Sequence, residues 1–213
     1  TNSFDLRCKK LPKKLKEWEA YIELRASITA FQDCLPLVGE LSKDSVKARH
    51  WNEVIAVTGS KFPFDAEAFS LSNILNSNIL EFKEDVEEIC DGADKQLGIE
   101  TKLSDIKETW GRKRFDFGLW LSRGVHILLA FGQVVEDLED AQLQLQTLLT
   151  MRHVGPFREE VQGKLTELSN TTDELELWVK VQLMWTSLES VFMGGDIAKQ
   201  MPLEAKKFNK VDK

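Results

Sequence analysis

From Phe157 to Phe192 the apolar residues hold one helical register: Phe157, Val161, Leu165, Leu168, Leu175, Trp178, Trp185, Leu188 and Phe192, with Gln182 in phase. Pro156 opens the stretch and the pair Gly194-Gly195 closes it, as proline at a helix start and glycine at a helix end tend to do. Gly163 and the polar run 169–172 are poor helix formers inside it. If they are spanned, one helix over 156–193 is roughly 55 Å long at ~1.5 Å per residue. A compact ball of this chain length has a radius of gyration of ~17 Å, hence a diameter of roughly 44 Å. The helix does not fit inside such a ball, so the expected fold is mainly α, an elongated, rod-like helical bundle.

The rest of the chain is also thinly punctuated. It has five prolines, Pro12, Pro36, Pro63, Pro156 and Pro202, most of them where a helix could begin. Leu15, Trp18, Ile22, Ile28 and Phe31 predict a first helix from Pro12 to about Cys34. Val46, Ala48, Trp51, Val54 and Ile55 predict a second over 45–58, stopped by Gly59. A loop is expected over 59–63, then a short helix or turn around Phe69, Leu71, Ile74 and Leu75. Over 78–98, Ile79, Phe82, Val86, Ile89, Ala93 and Leu97 share one side, with Glu81, Glu84, Asp85, Glu88 and Asp91 largely opposite. Ile99, Leu103, Ile106 and Trp110 then define a separate helix ended by Gly111, and Val135, Leu138, Ala141, Leu145, Leu148 and Leu149 another after Gly132.

Over 113–132 the period changes from helical to two. Phe115, Phe117, Leu119 and Leu121 alternate with more polar neighbours, and so do Val125, Ile127, Leu129 and Phe131. A three-residue loop Ser122-Arg123-Gly124, with Gly124 left-handed, pairs Leu121 with Val125, Leu119 with Ile127, Phe117 with Leu129 and Phe115 with Phe131. The expectation is one inserted β-hairpin with a single apolar face laid on helices, because a lone hairpin is marginal in water. Boundaries follow: a lead-in and first helix at 1–34, a helical subdomain at 35–111, the hairpin at 112–132 and a long-helix subdomain at 133–213.

Charge and motifs exclude several function classes. With 35 acidic and 28 basic residues the net charge is -7, which disfavours nucleic acid as a partner. The excess lies in 61–110, which holds 12 acids and 5 bases. No apolar run reaches the ~20 residues that span a bilayer, so no membrane partner is expected, and the N-terminus lacks a signal peptide's apolar core. Cys8, Cys34 and Cys90 are odd in number without metal or redox spacing, which suits a reducing compartment.

No Walker phosphate loop is present: Gly163-Lys164-Leu165 lacks the hydroxyl that would hold magnesium. Gly194-Gly195-Asp196 reads as a helix stop followed by a cap for the next turn, rather than an anion cradle. His50, His126 and His153 have no second His or Cys at metal spacing, and 90–94 lacks the pattern of a calcium loop. Catalytic, cofactor and metal residues are therefore expected to be absent. Lys9, Lys10, Lys13, Lys14 and Lys16 could meet phosphates, acidic protein or a nuclear import receptor, or simply solvate the start of the first helix. The acids Glu84, Asp85 and Glu88 offer a docking face for a basic partner or a plain solvated helix face. Of the six tryptophans, five sit on apolar stripes and are expected in the core. Trp120 points away from its apolar neighbours and is the candidate contact anchor.

One set of residues resembles a known family. Trp178, Val181-Gln182, Trp185, Leu188-Glu189, Phe192, Gly194-Gly195-Asp196-Ile197, Met201-Pro202, Glu204 and Phe208 look like the linker of dynein heavy chains, with Met201 in place of the usual leucine. Arg49-His50-Trp51 and Thr58-Gly59 are similar to its upstream segment, and Gly98, Trp110, Phe115 to Phe117, Leu138 to Asp140 and Pro156-Phe157 fall in the family's order. The match runs from about Leu35 to the end, with 119–134 departing most. Gly-Gly-Asp-Ile looks most like axonemal, inner-arm heavy chains.

The resemblance implies the N-terminal part of a mechanical linker, a lever that couples ATP-driven changes of an AAA+ ring to movement on microtubules in the axoneme of cilia or flagella. ATP and Mg would belong to the parent chain, none to this fragment. Its partners would be the AAA+ ring of the same heavy chain and other dynein subunits, with microtubules reached only through the parent chain. Two other readings stay open: a docking module of the same heavy chain that recruits another chain or a neighbouring dynein, and, more remotely, a free-standing enzyme with an unrecognised site.

Overall fold

Amphipathic patterning of this strength makes helices, and a computed structural model contains eight α-helices and one two-stranded sheet among the residues it describes, which are 2–60, 73, 77–120, 123–194 and 196–213. The short element expected around Phe69 to Leu75 lies outside these residues, as do Leu121, Ser122 and Gly195. The chain forms two compact units, Thr1–Glu100 and Thr101–Lys213.

In the first unit, α1 (Asn2–Lys9) is tied to α2 (Glu19–Leu41) by an ion pair between Asp5 and Arg25. The expected helix from Pro12 to Cys34 is corrected at both ends. Residues Lys13–Leu15 form a 3-10 turn, Trp18 caps α2 with 63% of its surface exposed, and the helix runs past Cys34 with Pro36 inside it. Proline within a helix costs about 3 kcal/mol. Burying two leucines returns about 1.5–3 kcal/mol each, and Leu37 and Leu41 beyond the proline are both buried.

Helix α3 (Ala48–Thr58) ends as expected at Gly59, whose φ of 65° puts it in the left-handed region. Ile79 from a 3-10 turn (Asn78–Leu80), together with Val86 and Cys90 from α4 (Lys83–Arg112), completes a core with Cys34, Leu37, Leu41 and Val54. Gly98 does not divide α4, contrary to expectation. A mid-helix glycine costs about 1 kcal/mol, and the buried side chains of Ile99, Leu103 and Ile106 carry the helix on to Arg112.

In the second unit, β1 (Asp116–Trp120) and β2 (Val125–Leu129) pair antiparallel. The hairpin exists, but its register is one residue away from the expected one. Leu119 faces His126, Phe117 faces Leu128 and Trp120 faces Val125. Four residues, not three, connect the strands, with Gly124 left-handed at φ 73°. Because side chains alternate between faces, this single step splits the expected apolar face in two. Leu128 is buried while Phe117, Leu119, Val125 and Leu129 stay exposed. Gly118 makes room for the Leu129 side chain, which would stand 2.7 Å from a Cβ there. Phe131, expected in the second strand, begins a helix instead.

That helix, α5 (Phe131–Thr150), starts from Ala130, a non-glycine residue at φ 49°. It buries Val134, Leu138, Ala141, Leu145 and Leu148. A 3-10 turn (Gly155–Phe157) leads into α6 (Arg158–Gly194), which packs back along α5, with Gln142 donating to the Thr172 hydroxyl at 2.8 Å. The sequence leaves open whether the polar run 169–172 breaks this helix; α6 is unbroken, 37 residues long. The hydroxyls of Thr166, Thr171 and Thr172 donate to carbonyls four residues back, so the polar run stays within the helix. Helices α7 (Ile197–Gln200) and α8 (Pro202–Val211) follow.

The expected tryptophan core is not found. Trp18 and Trp178 are exposed, and Trp51, Trp110, Trp120 and Trp185 are half-buried. Large indoles with one polar edge suit half-wet seams between elements better than a closed core. No helix among the described residues is long and apolar enough to cross a membrane.

Candidate functional site

Leu128 belongs to an edge strand whose main-chain groups need partners, and Gln182 on α6 supplies them. The Leu128 N–H donates to Oε1 of Gln182 at 2.7 Å, and Nε2 of Gln182 donates to the Leu128 carbonyl at 3.0 Å. A glutamine amide can both accept and donate, so it stands in for a neighbouring strand. One helical turn before it, the Trp178 ring meets Phe115 edge-on at 6.4 Å and Phe117 at 5.9 Å. The hairpin is thereby fixed along the second half of α6.

Further along α6 lies Glu189, which is 5% exposed although charged. A buried carboxylate needs paired donors. Trp120 Nε1 donates to its Oε2 at 3.2 Å, and Arg123, in the hairpin loop, donates to Oε1 at 3.4 Å. The same guanidinium forks onto Asp212, just past α8, at 3.0 and 2.8 Å. Trp185 Nε1 donates to Asp212 Oδ1 at 3.1 Å, and Arg123 sits over the Trp185 ring at 5.7 Å. Arg123, then Trp185, hold the Asp212 carboxyl below the usual carboxylate range. Phe192 stacks on Phe208 with centroids 5.6 Å apart. One cation, two carboxylates and two indoles thus join hairpin, long helix and C-terminal helix, with each carboxylate oxygen met by a donor.

In the first unit, Arg49, His50 and Trp51 lie on α3. The His50 ring is buried, its Nδ1 accepting the Lys47 N–H at 2.9 Å, which leaves Nε2 to donate to Gln96 Oε1 at 3.0 Å. Arg49 Nε donates to the same oxygen at 2.7 Å. Glu84, Asp85 and Glu88 are exposed on the first turns of α4. Asp94, further along α4, accepts from Ser45 at 2.5 Å and from Lys43 at 3.0 Å, and the Ser45 hydroxyl, followed by Lys43, lowers its pKa.

The structure therefore gathers Trp120, Trp178, Gln182, Trp185, Phe192 and Phe208 in one place, and keeps Arg49, His50 and Trp51 in the other unit. Gly194 is the last residue of α6 and Pro202 the first of α8. Asp196 takes the position before α7, but its carboxylate pairs with Lys199 at 2.9 Å and makes no capping bond. Sequence reasoning missed Arg123, Asp212 and Gln96. Glu189 had a signal, as the one charged residue within 181–193, but nothing in the spacing says what meets it. Among the described residues, no group of three His, Cys, Asp or Glu is placed to hold a metal ion.

The chemistry of this junction is one of attachment: donors and acceptors answer one another. The family model described as dynein heavy chain, N-terminal region 2, matches residues 1–213. The chain belongs to the dynein heavy chain family.

Its relatives include human dynein axonemal heavy chain 8, 38% identical over 99% of this chain, and mouse dynein axonemal heavy chain 5, 39% identical over 99%. The dynein gamma chain of the flagellar outer arm of Chlamydomonas reinhardtii is 40% identical over 96%. The chain spans about 5% of the length of each. The inner-arm expectation drawn from Gly194-Gly195-Asp196-Ile197 finds no counterpart in these names, one of which is an outer-arm chain.

Proposed function

We propose that this region is a mechanical element of an axonemal dynein heavy chain, a lever that passes ATP-driven changes in an AAA+ ring to movement along microtubules in a cilium or flagellum. The observation that carries it is α6, a helix of 37 residues without a break, roughly 55 Å long at ~1.5 Å per residue. A hairpin and a terminal helix are keyed onto its second half. Helices resist bending because every turn is hydrogen-bonded, and side supports stiffen them further.

On this reading ATP and Mg are bound elsewhere in the parent heavy chain, and the region by itself is not an enzyme. Its first partner is the AAA+ ring of the same heavy chain, other dynein subunits come second, and microtubules are reached only through the parent chain. Excising seven consecutive residues of α6, about two turns, within 169–194 would shorten the helix by ~10 Å. A heavy chain carrying that deletion should keep its ATP turnover and lose displacement per cycle in an optical trap. Unchanged displacement would overturn the lever. Purified 213-residue chain should show no ATP turnover, and appreciable hydrolysis would overturn the non-enzymatic reading.

A second reading is a docking module for another chain. It is favoured by the exposed apolar hairpin side chains Phe117 and Leu119 and by the acidic start of α4. Reversing the charge of Glu84, Asp85 and Glu88 together should then reduce capture of another dynein subunit in pull-downs, and undiminished capture would count against it.

A further inference from the structure

Arg123 lies in a loop between two strands, yet both carboxylates it holds come from elsewhere: Glu189 is 66 residues away on α6, and Asp212 is 89 residues away, just past α8. The two acids approach one another closely enough to share one guanidinium. Without that cation they would face each other as like charges in a half-dry seam, and Glu189 has 7% of its side chain accessible to water. The remaining ties divide cleanly. The hairpin has Gln182, Trp178 and the Trp120–Glu189 hydrogen bond on its side of Arg123, and α8 has the Phe192–Phe208 stack and the Trp185–Asp212 hydrogen bond on the other.

Helix α8 is also poorly held otherwise. It has ten residues and buries Ala205 and Phe208, while Leu203 and Val211 remain 71% and 75% exposed. A helix this short is not stable without its packing surface. A groove of about 440 Å³ opens along its seam with α6, lined by Val181, Met184, Leu188 and Val211 among others.

We propose that Arg123 is a latch that makes the docking of the hairpin and the docking of the C-terminal helix on α6 a single event. Tension on α8 then reaches the hairpin through one guanidinium, and loosening of the hairpin frees α8. Because such coupling is a free energy between two docking equilibria, it is reciprocal. That reciprocity separates a latch from two independent contacts. The inference rests on the geometry of the second unit alone and holds whether or not the lever reading does.

Hydrogen–deuterium exchange on the 213-residue chain tests it. In Asp212→Asn, which weakens the Arg123 fork and the Trp185 hydrogen bond from the C-terminal side, exchange in β2 (Val125–Leu129) should quicken about fivefold or more along with that of α8. Phe208→Ala should do the same from the other contact of α8. Arg123→Gln should free both elements while protection in α5 persists. If that variant fails to fold, Arg123→Lys, which keeps the charge and loses the fork, should quicken both elements to a smaller degree. Faster exchange confined to α8 in Asp212→Asn, with the hairpin unchanged, would overturn the proposal.

Discussion

His50 shows how a single side chain of the family motif acts without any chemistry of its own. Its ring accepts from the Lys47 N–H at the start of α3 and donates to Gln96 on α4, so it caps one helix and pins it to another. Replacing Gln96 with leucine would leave the His50 donor buried without an acceptor. That should cost about 1–3 kcal/mol, read as a lower midpoint in urea denaturation. Asp94 makes a pH-dependent contribution in the same unit. The Ser45 hydroxyl and then Lys43 lower its folded pKa below that of the unfolded chain. Its contribution is therefore complete above the ordinary aspartate value of about 3.9 and is lost as pH falls through the lower folded value. Acid unfolding followed by circular dichroism should be less steep below about pH 4 in Asp94→Asn, with little difference in slope near neutrality. Ala130 carries the opposite kind of local cost. Its left-handed backbone at φ 49° opens α5, and Ala130→Gly should stabilise the chain by up to about 1 kcal/mol in thermal melts.

Among the elements, the two long helices persist through residues that were expected to interrupt one of them and weaken the other. Gly98 lies within α4 and Gly163 within α6, and a Cβ at either position would meet nothing within 4 Å. Alanine at each should therefore raise stability by about 0.8–1 kcal/mol, measured by denaturant midpoint. A loss instead would mean that the glycine serves an approach the structure does not contain. The proline in α2 follows the same rule: local preference yields where buried side chains lie beyond the interruption. The hairpin shows the limit of local reasoning. Alternation identified the strands, Gly124 identified the turn, and the register still came out one residue off. Pairing apolar with apolar is a reasonable choice for an isolated hairpin. Here Gln182, Trp178 and Glu189 grip Leu128, Phe117 and Trp120 from outside, and their positions on α6 select the register.

For the molecule as a whole, the distribution of apolar surface carries the strongest consequence. The first half of α6 buries Val161, Leu168 and Leu175, while Leu177, Val181, Leu183, Met184 and Leu188 of the second half are exposed. Exposed apolar area on this scale promotes association. The 213-residue chain should bind a hydrophobic dye and self-associate with rising concentration, and Leu183→Glu with Met184→Lys should reduce both without lowering helicity. The presence of most of the helices, the hairpin's existence and the acidic exposed side of α4 are legible in the sequence, because each follows from periods of 3.6 or 2 between neighbours in the chain; helix ends are not, since buried contacts carried α2 past Pro36 and α4 past Gly98. Family membership is legible too, through the ordered motifs around Arg49 to Trp51 and Trp178 to Phe208. Tertiary structure alone decided the hairpin register, the half-buried place of most of the tryptophans, and the meeting of Arg123 with Glu189 and Asp212. Those outcomes depend on which residues distant along the chain come within hydrogen-bonding reach, and spacing along one strand or helix contains no such distance.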